Sequence, residues 1–125
     1  MIGWAEETGG TGAAMAYHML FSFNLAEGVS ASDIARELRR FDAEMVGLGL
    51  MEATSPLGKR HRHPVLDTAT GNPHEFFAKM RFRDLAQANA AVTLFQSDGI
   101  GAVAPHVRLI RMTRDAIFLC FEDHA

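Results

Sequence analysis

Three basic side chains have the spacing needed to hold an anion and move a proton: His18, Lys79 and Arg81. Lys79 and Arg81 stand two apart in HEFFAKMRF, residues 74–82, where Phe76, Ala78, Met80 and Phe82 alternate with Glu75, Phe77, Lys79 and Arg81. That alternation predicts a strand, and residues two apart on a strand share one face at about 7 Å. His18 falls in YHMLFSFNL, residues 17–25, which puts Tyr17, Met19, Phe21, Phe23 and Leu25 on one face and His18, Leu20, Ser22 and Asn24 on the other. If the two strands are neighbours, His18, Ser22, Phe77, Lys79 and Arg81 share a surface. A Lys–Arg pair in a partly dry cavity favours a carboxylate, phenolate or phosphate, with His18 as the candidate catalytic base and Ser22 and Phe77 lining the ligand site. The competing reading is structural: Lys79 and Arg81 pair with Glu52, Glu75 or Glu122 and hold two subunits together.

The other chemistry-bearing residues are weaker signals. His61 and His63, flanked by Lys59, Arg60 and Arg62, form an H-x-H pair that Asp67 or His74 could complete as a metal site. With no cysteine nearby and prolines on either side, the pair reads as part of a solvated basic loop or an anion lid, and no metal or cofactor is expected. Arg108, Arg111 and Arg114 recur every third residue after His106, which on a helix makes one basic stripe. Cys120, in an apolar run, reads as a small core residue rather than a nucleophile. No phosphate loop, dinucleotide fingerprint or nucleophile elbow is present, so no motif names a reaction and enzymatic activity stays open.

Composition narrows the class. At 125 residues, 48% hydrophobic and 22% charged, the chain reads as a soluble globular protein. A net charge of −3 argues against a nucleic-acid partner. The single cysteine points to a reducing cytoplasm, and no apolar run approaches the ~20 residues of a membrane helix.

The elements that must position these residues follow from periodicity. Residues 1–14 read as a flexible extension rather than a signal peptide, and residues 15–125 as one domain. After the first strand, Ser30 and Asp33 make an acidic capping box for a helix whose inner stripe is Ile34, Leu38, Phe41 and Met45. Arg36, Glu37, Arg40 and Glu44 form its solvated face, and Gly47 and Gly49 end it. Leu50–Ser55 predicts a second strand. A loop over 56–73 leads to the third strand. A helix over Leu85–Gln96 follows, capped by Asp84 with Gln87 at capping-box spacing and broken at Gly99 and Gly101. Pro105 opens a short helix through Met112, and Ala116–Glu122, apolar on both faces, reads as a buried strand. The fold class is therefore α+β: a ferredoxin-like βαββαβ chain with a four-stranded antiparallel sheet, helices on one face and the first and third strands central.

YHMLFSF, HEFFAKMRFRD before an Ala-rich helix, and APHVRLIRM before a closing strand ending in FED resemble the dimeric α+β barrel superfamily, and within it the stress-responsive A/B barrel domains. The resemblance covers about Met15 to Glu122 and departs from the pattern in the long histidine-containing loop. It implies a homodimer binding a small organic ligand, aromatic or polyketide-like and anionic, in its cavity. It also implies as alternatives a cofactor-independent monooxygenase, cyclase or isomerase, or a purely structural dimer; haem is disfavoured. A dimer follows from packing as well, because Leu20, Phe77 and part of the last strand make an apolar patch too large to leave in water.

Overall fold

Two alternating strands form the centre of the sheet. The first, β1 (Tyr17–Leu25), pairs antiparallel along its length with β4 (Phe76–Phe82), in the register Tyr17 to Phe82 through Phe23 to Phe76. The computed structural model describes residues 15–96 and 100–124, without the side chains of 100–105. The expected extension over 1–14 and the helix break at Gly99 lie outside the described residues.

On the far side of β1 lies β5 (Thr113–Glu122); on the far side of β4 lie β2 (Ala53–Thr54) and β3 (Gly58–Lys59). The expected Leu50–Ser55 strand is shorter, and Gly58–Lys59 supplies a second pairing segment, which makes five strands rather than four. Pro56, with no N–H to give the ladder, separates them. Ser55 makes the last contact before the break, donating its N–H to Lys79 O and accepting the Lys79 N–H on its hydroxyl.

Helix α1 (Ala31–Gly47) starts at Ser30, whose hydroxyl accepts from Asp33 N–H while the Asp33 carboxylate takes the Ser30 N–H. It ends in a left-handed turn at Gly49, φ 73°, with Leu50 N–H bonded to Met45 O and Gly49 N–H to Val46 O. Ile34, Leu38, Phe41 and Met45 are buried as the spacing requires. Glu37 is buried too, against the expectation of a solvated face. Arg108 Nε reaches its carboxylate at 3.1 Å, tying α1 to α3 (Ile100–Arg111). Helix α2 (Leu85–Gln96) has the predicted bounds. Helix α3 begins earlier than expected and carries Pro105 in its interior. Arg114 lies on β5, donating to Leu25 O, so the three arginines do not share a helix face.

The helix side of the sheet is the core, with Phe21, Phe23, Ala78, Met80 and Phe82 packed against the α1 stripe and against Ala88, Ala91 and Leu109. Phe76, expected to be as deep as the others, is half-buried under Lys59. The last strand departs most from expectation. It is exposed along nearly all of its length, since it is the outermost strand and has no helix on its outer face.

The long loop is built around one guanidinium. Arg60 gives Nε and Nη2 to the two Asp67 oxygens at 2.7 and 2.8 Å, and its remaining donors go to the carbonyls of Ala69, Asn72 and His74. A planar five-donor fork with every donor used fixes a chain segment in a way a lysine cannot. The loop ends on His74, which is buried. Its Nε2 lies 2.6 Å from Asp115 O and its Nδ1 2.5 Å from Ser22 Oγ. A carbonyl only accepts, so Nε2 carries the proton and Ser22 donates to Nδ1. Asp115 has φ 59° at the β1–β5 register shift, so the imidazole holds a bulge that an L-residue adopts at a cost.

Two measurements check this account. Phe23, fully buried, should lose about 3–5 kcal/mol on Phe23→Ala, and Phe76→Ala clearly less, by denaturant titration; equal losses would mean the core is misassigned. The Arg60 hydrogen bonds, the larger cause, hold the Asp67 carboxyl at about 2, below its usual 3.8. A lowered folded value contributes stability above 3.8, and that contribution is lost as pH falls from 3.8 through about 2. Limited proteolysis at 64–66 should accelerate in that window in the wild type, and at neutral pH in Asp67→Asn.

Candidate functional site

Between the sheet and helices α2 and α3 lies a cavity of about 300 Å³. Its floor is the helix-facing side of β1, β4 and β5: Tyr17, Met19 and Phe21, then Met80 and Phe82, then Phe118 and Cys120. On the helix side Ala88 and Ala91 of α2 lie among Leu85, Val92 and Phe95 of the same helix, and their small side chains leave part of the space unfilled. An apolar cavity of about half this size accepts benzene, so the space suits a molecule of two or three fused rings.

Four polar groups interrupt the apolar lining: Tyr17, Asn89, His106 and Cys120. His106 stacks flat on Phe95, ring centres 4.2 Å apart and planes at 10°. The stack and the Arg108–Glu37 ion pair two residues on together fix its position on α3. Burial lowers its pKa below the usual 6.5, so at neutral pH the ring is an uncharged proton acceptor. The Tyr17 hydroxyl is pushed above its usual 10, first by its hydrogen bond with Cys120, then by burial and by the nearby Glu122 charge. It therefore stays a donor. The cavity thus carries one neutral base and one phenol, with no lysine or arginine among its described lining residues.

The structure brings the sequence-predicted group together, but on the opposite face of the sheet. Cα pairing sets His18 beside Arg81, Leu20 beside Lys79 and Ser22 beside Phe77. His18 Nε2 is 2.9 Å from Asp123 Oδ1, and its ring stacks on Phe121 at 4.7 Å. Lys79 Nζ lies 5.9 Å over the same Phe121 ring. Ser22 is engaged by His74. Glu52 and Glu75, expected as partners of the basic pair, bond instead to Arg83 and to Arg62 and Lys59. In the loop, His63 Nδ1 accepts the Val65 and Leu66 N–H groups and Asp67 belongs to Arg60; among the described residues no group could hold a metal ion.

Sequence reasoning passed over Tyr17, Asn89 and His106, and took Cys120 for a buried residue although it is exposed on the cavity wall. One signal was available: Tyr17 lies on the same strand face as Met19 and Phe21. His106 carried none, because α3 was read as starting at Pro105, which hides the helical phase that turns His106 toward Phe95.

No family model matches the chain, and no curated protein matches it. Solved structures do. A protein from Arabidopsis thaliana superposes with TM-score 0.62 at 13% identity, over 88% of this chain and 96% of that one. The hydroxynitrile lyase from Passiflora edulis gives 0.63 at 14%, over 89% and 94%. SnoaB, a cofactor-independent oxygenase from Streptomyces nogalater, gives 0.61 at 9%, over 88% and 94%. These likenesses show the fold, a ferredoxin-like α+β arrangement. Among the described residues no helix is long and apolar enough to cross a membrane.

The depressed His106 value has a sign that can be tested. The folded chain holds that proton less tightly than the unfolded one, so stability is complete above 6.5 and falls as pH drops below it. An NMR titration should give His106 a midpoint under 6.5, and His106→Gln should flatten the loss of stability over that range. A midpoint at or above 6.5 would mean the ring is solvated and the cavity wet.

Proposed function

We propose that residues 15–125 act as one domain that binds a small, uncharged aromatic or polyketide-like molecule in the cavity between sheet and helices, and that the domain works as a homodimer. The observation that carries this reading is the cavity itself: about 300 Å³ of apolar space with a neutral imidazole and a protonated phenol on its walls. Such a lining takes a ring system by area and orients it by one or two hydrogen bonds. A phenol or enol fits best, donating its O–H to His106. Lys79 and Arg81, the basis for expecting an anionic ligand, are not among the described lining residues of this cavity. We assign His18, Ser22, Phe77, Lys79 and Arg81 to the contact between two copies, where Leu20 and Phe77 also need cover.

A second reading, cofactor-independent catalysis, is favoured by His106 and Tyr17 lining one cavity. The neutral imidazole would take a proton from a bound C–H or O–H acid, and the Tyr17 hydroxyl would hydrogen-bond the oxyanion left behind. A hydroxynitrile lyase and a cofactor-independent oxygenase share this fold, which supports the reading.

Titration with 1-naphthol, followed by its fluorescence, tests the binding site. Ala91, buried on the α2 wall, becomes a plug in Ala91→Leu, which should weaken naphthol binding by about tenfold or more, ~1.4 kcal/mol, while the folded circular dichroism spectrum persists. Undiminished binding would move the site elsewhere. A wild-type protein that binds neither naphthol nor any molecule of an aromatic and polyketide-like panel would leave the structural dimer, as in a stress-response role, as the better account.

A further inference from the structure

We infer that the mouth of this cavity is the docking site of the chain's own N-terminal segment, residues 1–14, with the Trp4 side chain as a plug that a ligand must displace. The inference rests on the cavity reading above and adds what regulates entry to it.

The cavity is open on one side. Of its lining residues, Leu85, Asn89 and Val92 of α2 and Phe118 and Cys120 of β5 are exposed, the three large apolar ones by 44, 46 and 45%. They form an apolar rim interrupted by one amide and one thiol. A rim of this kind in water favours burial under whatever apolar group is held near it.

The chain itself holds one there. Ala16 is buried, and its carbonyl accepts the Asp123 N–H. The next residue, Tyr17, is cavity wall, paired on one side with Phe82 and on the other with Glu122. Leu85 of the rim follows Phe82 by three residues. Segment 1–14 therefore joins the fold at the Tyr17 end of the cavity. It carries the chain's single tryptophan, Trp4, with residues 5–15 between it and Ala16. That stretch spans at most about 40 Å, whereas the radius of gyration of a domain of this size is about 13 Å. Every part of the rim is within reach. Gly9, Gly10 and Gly12 let the chain turn back at low steric cost.

The chemistry matches as well as the position. An indole is two fused rings, the size of molecule the cavity suits, and it is a hydrogen-bond donor with no acceptor. The wall supplies the complement in the uncharged His106 imidazole. Met1 and Ile2, the other large apolar side chains of the segment, have no donor to meet it. A tethered group is present at an effective concentration on the order of millimolar. If its own dissociation constant lies below that, the site is filled most of the time, and an outside ligand binds several-fold more weakly than to an empty cavity.

The test replaces the single tryptophan with 5-fluorotryptophan in the whole chain and follows its fluorine resonance, alongside 1-naphthol affinity by calorimetry. In the wild type the resonance should stand away from that of an exposed fluorotryptophan, and naphthol should drive it to the exposed position. Ala91→Leu, which fills the cavity, should release Trp4 with no ligand added. Trp4→Ala should bind naphthol several-fold more tightly than the wild type. A wild-type resonance already at the exposed position, or equal naphthol affinity in the wild type and Trp4→Ala, overturns the plug and leaves the cavity reading standing. A displaced resonance that returns to the exposed position on dilution overturns it too, because the indole then sits in a second copy. Release of Trp4 by Ala91→Leu, with no naphthol binding to either the wild type or Trp4→Ala, upholds the plug and counts against the ligand reading instead.

Discussion

A sheet has two faces, and this chain supplies helices for one of them. That constraint organises the rest of the structure. The face under α1, α2 and α3 receives Phe21, Phe23, Met80 and Phe82, the aromatic and thioether side chains that form the core. The other receives His18, Ser22, Lys79 and Arg81, polar enough to meet water in part, interleaved with Leu20, Phe77, Ile117, Leu119 and Phe121, which are not. Period-two alternation usually separates a wet face from a dry one. Here it separates a face dry within the chain from one that is half dry and calls for a second surface.

The covered face is not packed to the end. Helix α2 sets Ala88 and Ala91 among Leu85, Val92 and Phe95 over the sheet's aromatic rings, and the two small side chains leave a void instead of an interlock. Among the described residues that line the void, none carries an Asp, Glu, Lys or Arg side chain. The void is chemically usable because burial keeps His106 unprotonated, while the hydrogen bond with Cys120, ahead of burial, keeps Tyr17 protonated. Desolvation of the base and a hydrogen bond to the acid leave both groups neutral.

Legibility in the sequence followed the range of the interactions. Local signals read well: the Ser30–Asp33 box, the α1 stripe, the bounds of α2 and the alternation of β1 and β4, each set by neighbours within a few residues. The pairing of β1 with β4 followed from their matched faces. What the sequence hid were consequences of position in the assembled sheet. The run AIFLCFE is apolar on both sides, which describes a buried central strand and an uncovered edge strand equally well; only the strand order tells them apart. Glu37 belongs by spacing to a charged helix face, and becomes buried because Arg108 arrives from the other end of the chain. The charged face announces its chemistry by side-chain type, whereas Tyr17 and Cys120 line the cavity from an apolar strand face that announces none.

The β1–β5 pairing has a consequence for the order in which the molecule forms. Parts of the structure close over short distances along the chain: α1 follows β1 directly, the Arg60 fork binds partners 7 to 14 residues away, and α2 follows β4. The strand β5 instead returns to a β1 that ended at Leu25, and its last link, His18 to Asp123, spans 105 residues. Loop-closure entropy makes such contacts late and slow to form. Until they form, β1 has β4 on one side and an open edge on the other, with Phe21 and Phe23 partly uncovered. The vulnerable interval in the life of this protein is therefore its own maturation, when β1 stands as an unpaired apolar edge awaiting a strand from the other end of the chain. A crowded, warm cell would tax that interval before it taxed the finished fold.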